Sequence, residues 1–337
     1  MSNGYDPLAV AFYDIAHEGA QVRAIAGAIE ASVKPQHDEF GAEIPGLASL
    51  AGVRARSIVV LCADNLSYRC AQLAASLIQP LPVALVITET IPGYLGALDV
   101  LIVVSEKGED AAISRAISQS VSRGITTVLV CPGDCPMVSD APRGTIIVPH
   151  LPNALGPSPT RSVVSVLAVL ELADLDPLLV GQKLTDWAEE IDKELASCSP
   201  ERDETVNPAR ELAVITGSLV HCSDSVPGVA LASLASTLWA MRGRVSASLS
   251  LAELAGASRY YQGPHRDIFY DPLLDGDGSV GLPLKPIVWC AVDADVPGLP
   301  GAIAVTSVSN SVPVMKQLVV DMHGLCGGFV STPGSLA

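Results

Sequence analysis

Between Ile91 and Pro132 the chain reads IPGYLGALDVLIVVSEKGEDAAISRAISQSVSRGITTVLVCP. Val100 to Val104 is an unbroken apolar run, rich in β-branched residues, with the length and content of a strand covered on both faces. A break follows at Ser105-Glu106-Lys107-Gly108. From Asp110 onward Ala111, Ile113, Ala116, Ile117 and Val121 recur with a period of about 3.6, predicting an amphipathic helix. A second apolar run closes the unit. Strand, turn, helix and strand in this order make one half of an open parallel sheet, and the turn delivers backbone N–H groups to a helix N-terminus, where α/β proteins hold anions.

The same alternation extends in both directions. Upstream, the pattern predicts a helix over Asp6 to Ala31, a loop over 32 to 56, a strand at Ser57 to Cys62, a helix at Ser67 to Ile78 and a strand at Leu81 to Ile87. Downstream come a short strand at Gly144 to Pro149, a Pro-rich loop, HLPNALGPSPT, and an apolar helix over Arg161 to Leu172. Lys183 to Ala196, with mixed charges, suits a connecting helix. A second α/β half follows, with a strand-like Leu212 to Cys222, a helix over Pro227 to Met241, a long Gly/Asp/Pro loop at 263 to 285, and strands at Pro286 to Val292 and Ala302 to Thr306. The tail GGFVSTPGSLA shows no clear final helix. The expected organisation is an N-terminal α/β/α domain over 1–174, a connecting helix and linker over 175–206, and a C-terminal domain over 207–337, each a doubly wound parallel sheet.

Composition narrows the function classes. The 337 residues, 49% hydrophobic and 4% aromatic, supply two cores of the kind that helices packed on parallel strands bury. Mean hydropathy is +0.40. Yet no window approaches about 18 uninterrupted apolar residues, and MSNGYDPLAV has neither a basic nor an apolar leader region, so the expectation is a cytoplasmic chain without a membrane partner. A formal charge of −16 with no basic cluster excludes a nucleic-acid backbone as partner. The eight cysteines lie in apolar runs, where thiols behave as small hydrophobes. Cys131 and Cys135 (CPGDC) do not form a CxxC, and no second pair or nearby histidine completes a zinc site. No G-x-G-x-x-G follows any strand and the DGDG at Asp275 to Gly278 lacks the remaining calcium ligands, so no cofactor or metal is expected.

Four separated segments carry a family resemblance. They are Ile91-Pro92 through Val100-Leu101; Ser105 to Asp110, in the place of a Ser-x-Ser-Gly-x-Thr loop; Pro152 to Arg161, a Pro/Gly loop ending on arginine; and Asn207-Pro208-Ala209-Arg210, similar to an Asn-Pro-Ala-Lys that opens a second domain. In order and spacing over about residues 58 to 257 they resemble the sugar isomerase (SIS) domain proteins, specifically the two-domain bifunctional phosphoglucose/phosphomannose isomerases and actinobacterial TobH-like relatives. The resemblance implies two SIS domains, usually in a homodimer, binding a hexose 6-phosphate (glucose, mannose or fructose 6-phosphate) between them. The implied reaction is aldose-ketose isomerisation by a phosphate cradle, a ring-opening group, a carboxylate base and a cation near the enediolate.

On that resemblance the substrate-binding candidates are Asn65, Ser67, Thr88, Ser105, Lys107, Gly108 and Arg161, on the loops 63 to 68, 88 to 94 and 105 to 110 and the Pro-rich loop. The catalytic candidates are Glu253 and His265. The departures matter as much. Lys107 stands for the second Ser of the phosphate loop and Asp110 for its Thr, and the family's Gly-Gly-Ser loop is replaced by Ala63-Asp64-Asn65-Leu66-Ser67. A carboxylate about 5 Å from a phosphate costs roughly 3 kcal/mol. Glu109 and Asp110 equally suit a helix N-terminus, where they would fill the anion site from within. Leu238 to Gly243 holds no acid where the family has its catalytic glutamate, and Ala252 to Ala257 keeps Glu253 but loses the family's histidine.

Other readings of these residues stand beside the catalytic ones. Glu253 is either a partly buried base with a raised pKa or part of a solvated helix face. Arg161 meets either an anion or a structural carboxylate. His265, in the aromatic loop YYQGPHRDIFYDP, is either a ring-opening acid or base or an interface residue. His221 reads as a core histidine. Two functions follow as expectations: a hexose-phosphate isomerase, or a catalytically silent SIS protein acting as a sugar-phosphate sensor or protein partner.

Overall fold

The computed structural model describes residues 10, 12–13, 15–81, 83–152, 154, 156–215, 217–261, 284–299, 301–306 and 311–330. The chain divides into two compact units, Met1–Pro208 and Ala209–Ala337.

The first unit is built on a five-stranded parallel sheet in the order β4-β3-β5-β6-β7. Its strands are β3 (Ser57–Cys62), β4 (Ala84–Thr88), β5 (Val100–Val104), β6 (Thr126–Val130) and β7 (Ile146–Ile147). β3 and β5 are buried at every position, as expected for strands covered on both faces. On one face Val59, Leu61, Leu101 and Val103 pack with Ile113 and Ile117 of α3 (Ala111–Ser122) and with Met137 of the short α4 (Pro136–Ser139). α2 (Asn65–Ser76) packs on α5 (Pro159–Leu172), and α5 is covered further by α1 (Glu18–Ala31) and α6 (Pro177–Ser197). All fourteen residues of α5 are therefore buried. α6, the helix with a connector's charge pattern, lies against α1 along its length within the first unit, close enough that Gly19 abuts Asp192. The segment expected as loop over 32–56 contains a small antiparallel pair, β1 (Gln36–His37) and β2 (Glu43–Ile44), and a single 3₁₀ turn, Leu47–Leu50.

The second unit holds a four-stranded parallel sheet in the order β11-β10-β8-β9: β8 (Ser218–Ser223), β9 (Ser246–Ser250), β10 (Leu284–Ala291) and β11 (Ile303–Thr306). α7 (Pro208–Ala213) precedes β8, so Leu212 and Ala213 are helical where the apolar pattern predicts the start of a strand. Pro208 presets the first helical turn, and Gly217 at φ 104 separates helix from strand. Along β8, Val220 and Cys222 meet Leu254 of α9 (Leu251–Tyr261), while alternation turns His221 toward Trp239 of α8 (Val226–Met241). β9 (SASLS) escapes a hydrophobic search because its side chains are small and polar. The absence of a clear final helix is also corrected: α10 spans Ser311–Val330, with Val314, Met315, Leu318, Val319 and Met322 buried on one stripe.

Candidate functional site

β3 and β5 run in register, with Cys62 opposite Val104, so the loops leaving their carboxyl ends are neighbours. Asp64 is the N-cap of α2 and joins them. Its Oδ1 accepts hydrogen bonds from the Ser67 backbone N–H (2.8 Å) and the Ser67 hydroxyl (2.9 Å), and its Oδ2 accepts the Glu106 N–H at 3.1 Å. One internal carboxylate thus takes donors from both loops that the resemblance assigns to a phosphate.

The rest of the 105–110 loop is equally self-satisfied. Buried Ser105 accepts the N–H groups of Gly108 (2.8 Å) and Lys107 (3.3 Å) on its hydroxyl oxygen. Asp110 caps α3, accepting the N–H groups of Ala112 (2.8 Å) and Ile113 (3.1 Å). Three consecutive amides, at 106, 107 and 108, donate to the chain's own oxygens, and the helix N-terminus behind them holds its own anion. Gly108 adopts φ +69, and a Cβ there would lie 2.3 Å from Cys135 Sγ, so only glycine fits without displacement. The Lys107 side chain is exposed. Asn65 is exposed at the first position of α2, and Thr88, half-buried at the end of the edge strand, donates its hydroxyl to the Thr90 carbonyl at 2.8 Å.

Behind this loop lies a polar cluster with little sequence signal. Glu106 turns inward and accepts the Ser158 N–H at 2.9 Å and the Ser162 hydroxyl, both from the start of α5. The Ser158 hydroxyl donates to buried Glu18 at 2.9 Å. Burial pushes the Glu18 carboxyl up to about 7, against the pull of the Thr160 and Ser158 hydroxyls and with a further push from the Glu106 charge. Burial also raises Glu106, against its bonds from Ser162 and Ser158 and the attraction of Arg161. Arg161 is 2% exposed. Its guanidinium donates to three main-chain carbonyls, of Pro149 (2.9 Å), Cys131 (2.8 Å) and Val148 (3.1 Å), tying α5 to the ends of β6 and β7. Those contacts explain an arginine at a helix start, where the dipole disfavours it.

In the second unit the structure places Glu253 as a helix cap. It is exposed in the first turn of α9, where its carboxylate accepts the Ser250 N–H (2.7 Å) and hydroxyl (2.8 Å), while the Ser250 hydroxyl accepts the Glu253 N–H (3.2 Å). This reciprocal capping box holds its pKa below the usual value, opposite to what a general base needs. The motif Ser250-x-x-Glu253 was legible in the sequence. His265 lies outside the described residues. In the stretch where the resemblance sets a catalytic glutamate, Leu238 and Trp239 are buried instead. Trp239 donates its indole N–H to Asp321 at 2.7 Å, with the Arg244 guanidinium 4.3 Å from the ring centroid. His221 is a core residue as expected, stacked on Trp289 and accepting its indole N–H on Nδ1 at 3.2 Å. Burial pulls its pKa down to about 3, so it is neutral.

Among the described residues no group of three or more His, Cys, Asp or Glu is placed to hold a metal ion, and no helix is long and apolar enough to cross a membrane.

No protein-family model and no curated protein matches the sequence. Solved structures do match the fold. The C-terminal domain of glucosamine-fructose-6-phosphate aminotransferase from Francisella tularensis superposes with a TM-score of 0.59 at 14% identity, over 98% of each chain. Tagatose-6-phosphate ketose/aldose isomerase from Escherichia coli gives 0.61 at 10% identity, over 94% of this chain and 91% of that one. Glucosamine-6-phosphate deaminase from Thermotoga maritima gives 0.57 at 9% identity, over 95% and 94%. At such identities the likeness establishes the fold alone, an α/β architecture of parallel sheets in two compact units.

Proposed function

We propose that this chain is a catalytically silent protein of the sugar isomerase fold, acting in carbohydrate metabolism as a sugar-phosphate sensor or protein partner rather than as an aldose-ketose isomerase. The observation that carries this reading is Asp64, which takes donors from both loops that the resemblance assigns to a phosphate, through bonds to Ser67 and Glu106. A phosphate entering there would meet a carboxylate at a few ångströms, a repulsion of roughly 3 kcal/mol or a hundredfold in affinity. The residues in the places of the family's acid and base point the same way. Glu253 is a cap with a lowered pKa, and buried Trp239 occupies the stretch where the family has its glutamate.

One observation favours the sensor form. The exposed Lys107 offers a cation on the rim of the loop whose Glu106 N–H Asp64 holds. The proteins named above are named for hexose 6-phosphates, which supports that ligand class for testing, with glucose, mannose and fructose 6-phosphate as its first members. A cytoplasmic homodimer belongs to the same proposal.

The test is to incubate the purified protein with fructose 6-phosphate, glucose 6-phosphate and mannose 6-phosphate, following the sugars by NMR and binding by isothermal titration, with Lys107→Ala in parallel. The expected result is no interconversion above the uncatalysed background. Saturable heat lost in Lys107→Ala supports the sensor form, and no heat supports the protein partner. Turnover that scales with protein concentration overturns the proposal.

A further inference from the structure

Cys131 and Cys135 follow β6 on the loop Cys131-Pro132-Gly133-Asp134-Cys135, and their sulfurs are 3.3 Å apart. A disulfide needs the two atoms about 1.3 Å closer, at roughly 2.0 Å. Both thiols are buried, Cys131 at 1% exposure and Cys135 at 6%. The pair is wired to the loop in front of it. The Met137 N–H, two residues after Cys135, donates to the Gly108 carbonyl at 3.1 Å, and Cys135 Sγ fills the space that a Cβ on Gly108 would need. On the other side the Cys131 carbonyl accepts from Arg161 at 2.8 Å.

We propose that Cys131 and Cys135 are a reversible oxidation site, closing to an intraloop disulfide that releases the 105–110 loop. The oxidant is a hydroperoxide. Cys135, the more exposed residue of the two, attacks the peroxide oxygen as thiolate and becomes a sulfenic acid, releasing hydroxide. Cys131 then attacks that sulfur, the S–S bond forms and a second hydroxide leaves. With the two thiol protons the balance is two thiols and one hydrogen peroxide to one disulfide and two waters. Burial raises the Cys131 thiol pKa, so the reaction is slow and answers sustained oxidation. As Cys135 Sγ swings toward Cys131 it withdraws from Gly108, and the loop carrying Ser105, Glu106 and Lys107 loses its packing floor. This site is independent of whether a hexose phosphate binds.

The experiment uses the full chain. After treatment with hydrogen peroxide, free thiols are blocked with iodoacetamide in denaturant and the protein is digested with trypsin. Arg123 and Arg143 bound a peptide, residues 124–143, that contains both cysteines. The expected product is that peptide two hydrogens lighter and unalkylated, restored by dithiothreitol and absent in Cys135→Ser and in Cys131→Ser. Amide exchange at residues 106–108 should then be faster by on the order of tenfold in the oxidised protein. A peptide that stays doubly alkylated while other cysteines react overturns the proposal. A disulfide that forms without changing exchange at 106–108 overturns its coupling to the loop.

Discussion

The Asp64 carboxylate accepts a hydrogen bond from the backbone N–H of Glu106 at 3.1 Å, joining two loops that lie 42 residues apart in sequence. The same side chain caps α2 through Ser67. Together these bonds make Asp64 both a helix cap and an internal substitute for a bound anion. Replacing it should expose the conflict between the two roles. Asp64→Gly should lower unfolding stability by only about 0.3 kcal/mol through loss of the cap, because glycine is itself tolerated at that position, and should create an anion site. Thermal melts in millimolar inorganic phosphate are expected to stabilise Asp64→Gly and not the parent protein. Equal effects on both would mean that the carboxylate does not guard the seat.

Arg161 separates a structural from a ligand-binding role cleanly. Its three carbonyl acceptors would be left buried and unpaired in Arg161→Ala, a loss of roughly 4 kcal/mol or more, since each hydrogen bond from a charged group contributes about 1.5–3 kcal/mol net. Arg161→Lys, which retains the charge but not the fork, should recover less than half of that. Urea titration measures it. A variant of unchanged stability that has lost sugar-phosphate binding would return Arg161 to the role its family resemblance implies.

Glu18 predicts an unusual pH profile. Its folded pKa is about 7 against an ordinary 4.5, so between these values the folded protein holds a proton that the unfolded chain has released. The penalty is absent below about 4.5 and complete above about 7, where it amounts to roughly 3 kcal/mol. Glu18→Gln should therefore unfold at higher denaturant than the parent at pH 8, and the difference should vanish toward pH 5. Comparing the two proteins at each pH cancels Asp321, raised to about 7 by burial, and His221 and His323, lowered to about 3 by burial. A difference that does not change with pH would show that Glu18 titrates normally.

Gly108→Ala tests how tightly the 105–110 loop is seated. The left-handed backbone at φ +69 and the approach to Cys135 both oppose a methyl group, and a loss of about 1–3 kcal/mol is expected by chemical denaturation. Adding Cys135→Ala to Gly108→Ala should recover part of that loss, because it removes the sulfur in the way. No recovery would assign the cost to backbone strain and to the Cys135 Cβ, which lies 2.7 Å from the added methyl and is retained in alanine.

The alternation of apolar runs and amphipathic periods was enough to order the first sheet's elements, and the strands at Ser57–Cys62 and Val100–Val104 fall where the pattern sets them. Such signals are local: a buried strand needs consecutive apolar residues and a helix needs a recurring face. The cap at Asp110 was legible for the same reason, and the Ser250–Glu253 box left a signal of the same kind that the reading of Glu253 as a base or a solvated residue passed over, both being bonds between residues two or three apart. Polar β9 and the final helix were missed, because small side chains and glycines blur both periods. What tertiary structure alone decided is the chemistry of the site. Asp64 with Glu106, Glu106 with Ser158 and Ser162, and Arg161 with the Cys131 carbonyl join residues 30 to 56 positions apart. Whether a carboxylate faces solvent, a ligand or the chain's own amides depends on which strand ends the sheet places side by side. No spacing along the sequence encodes that adjacency.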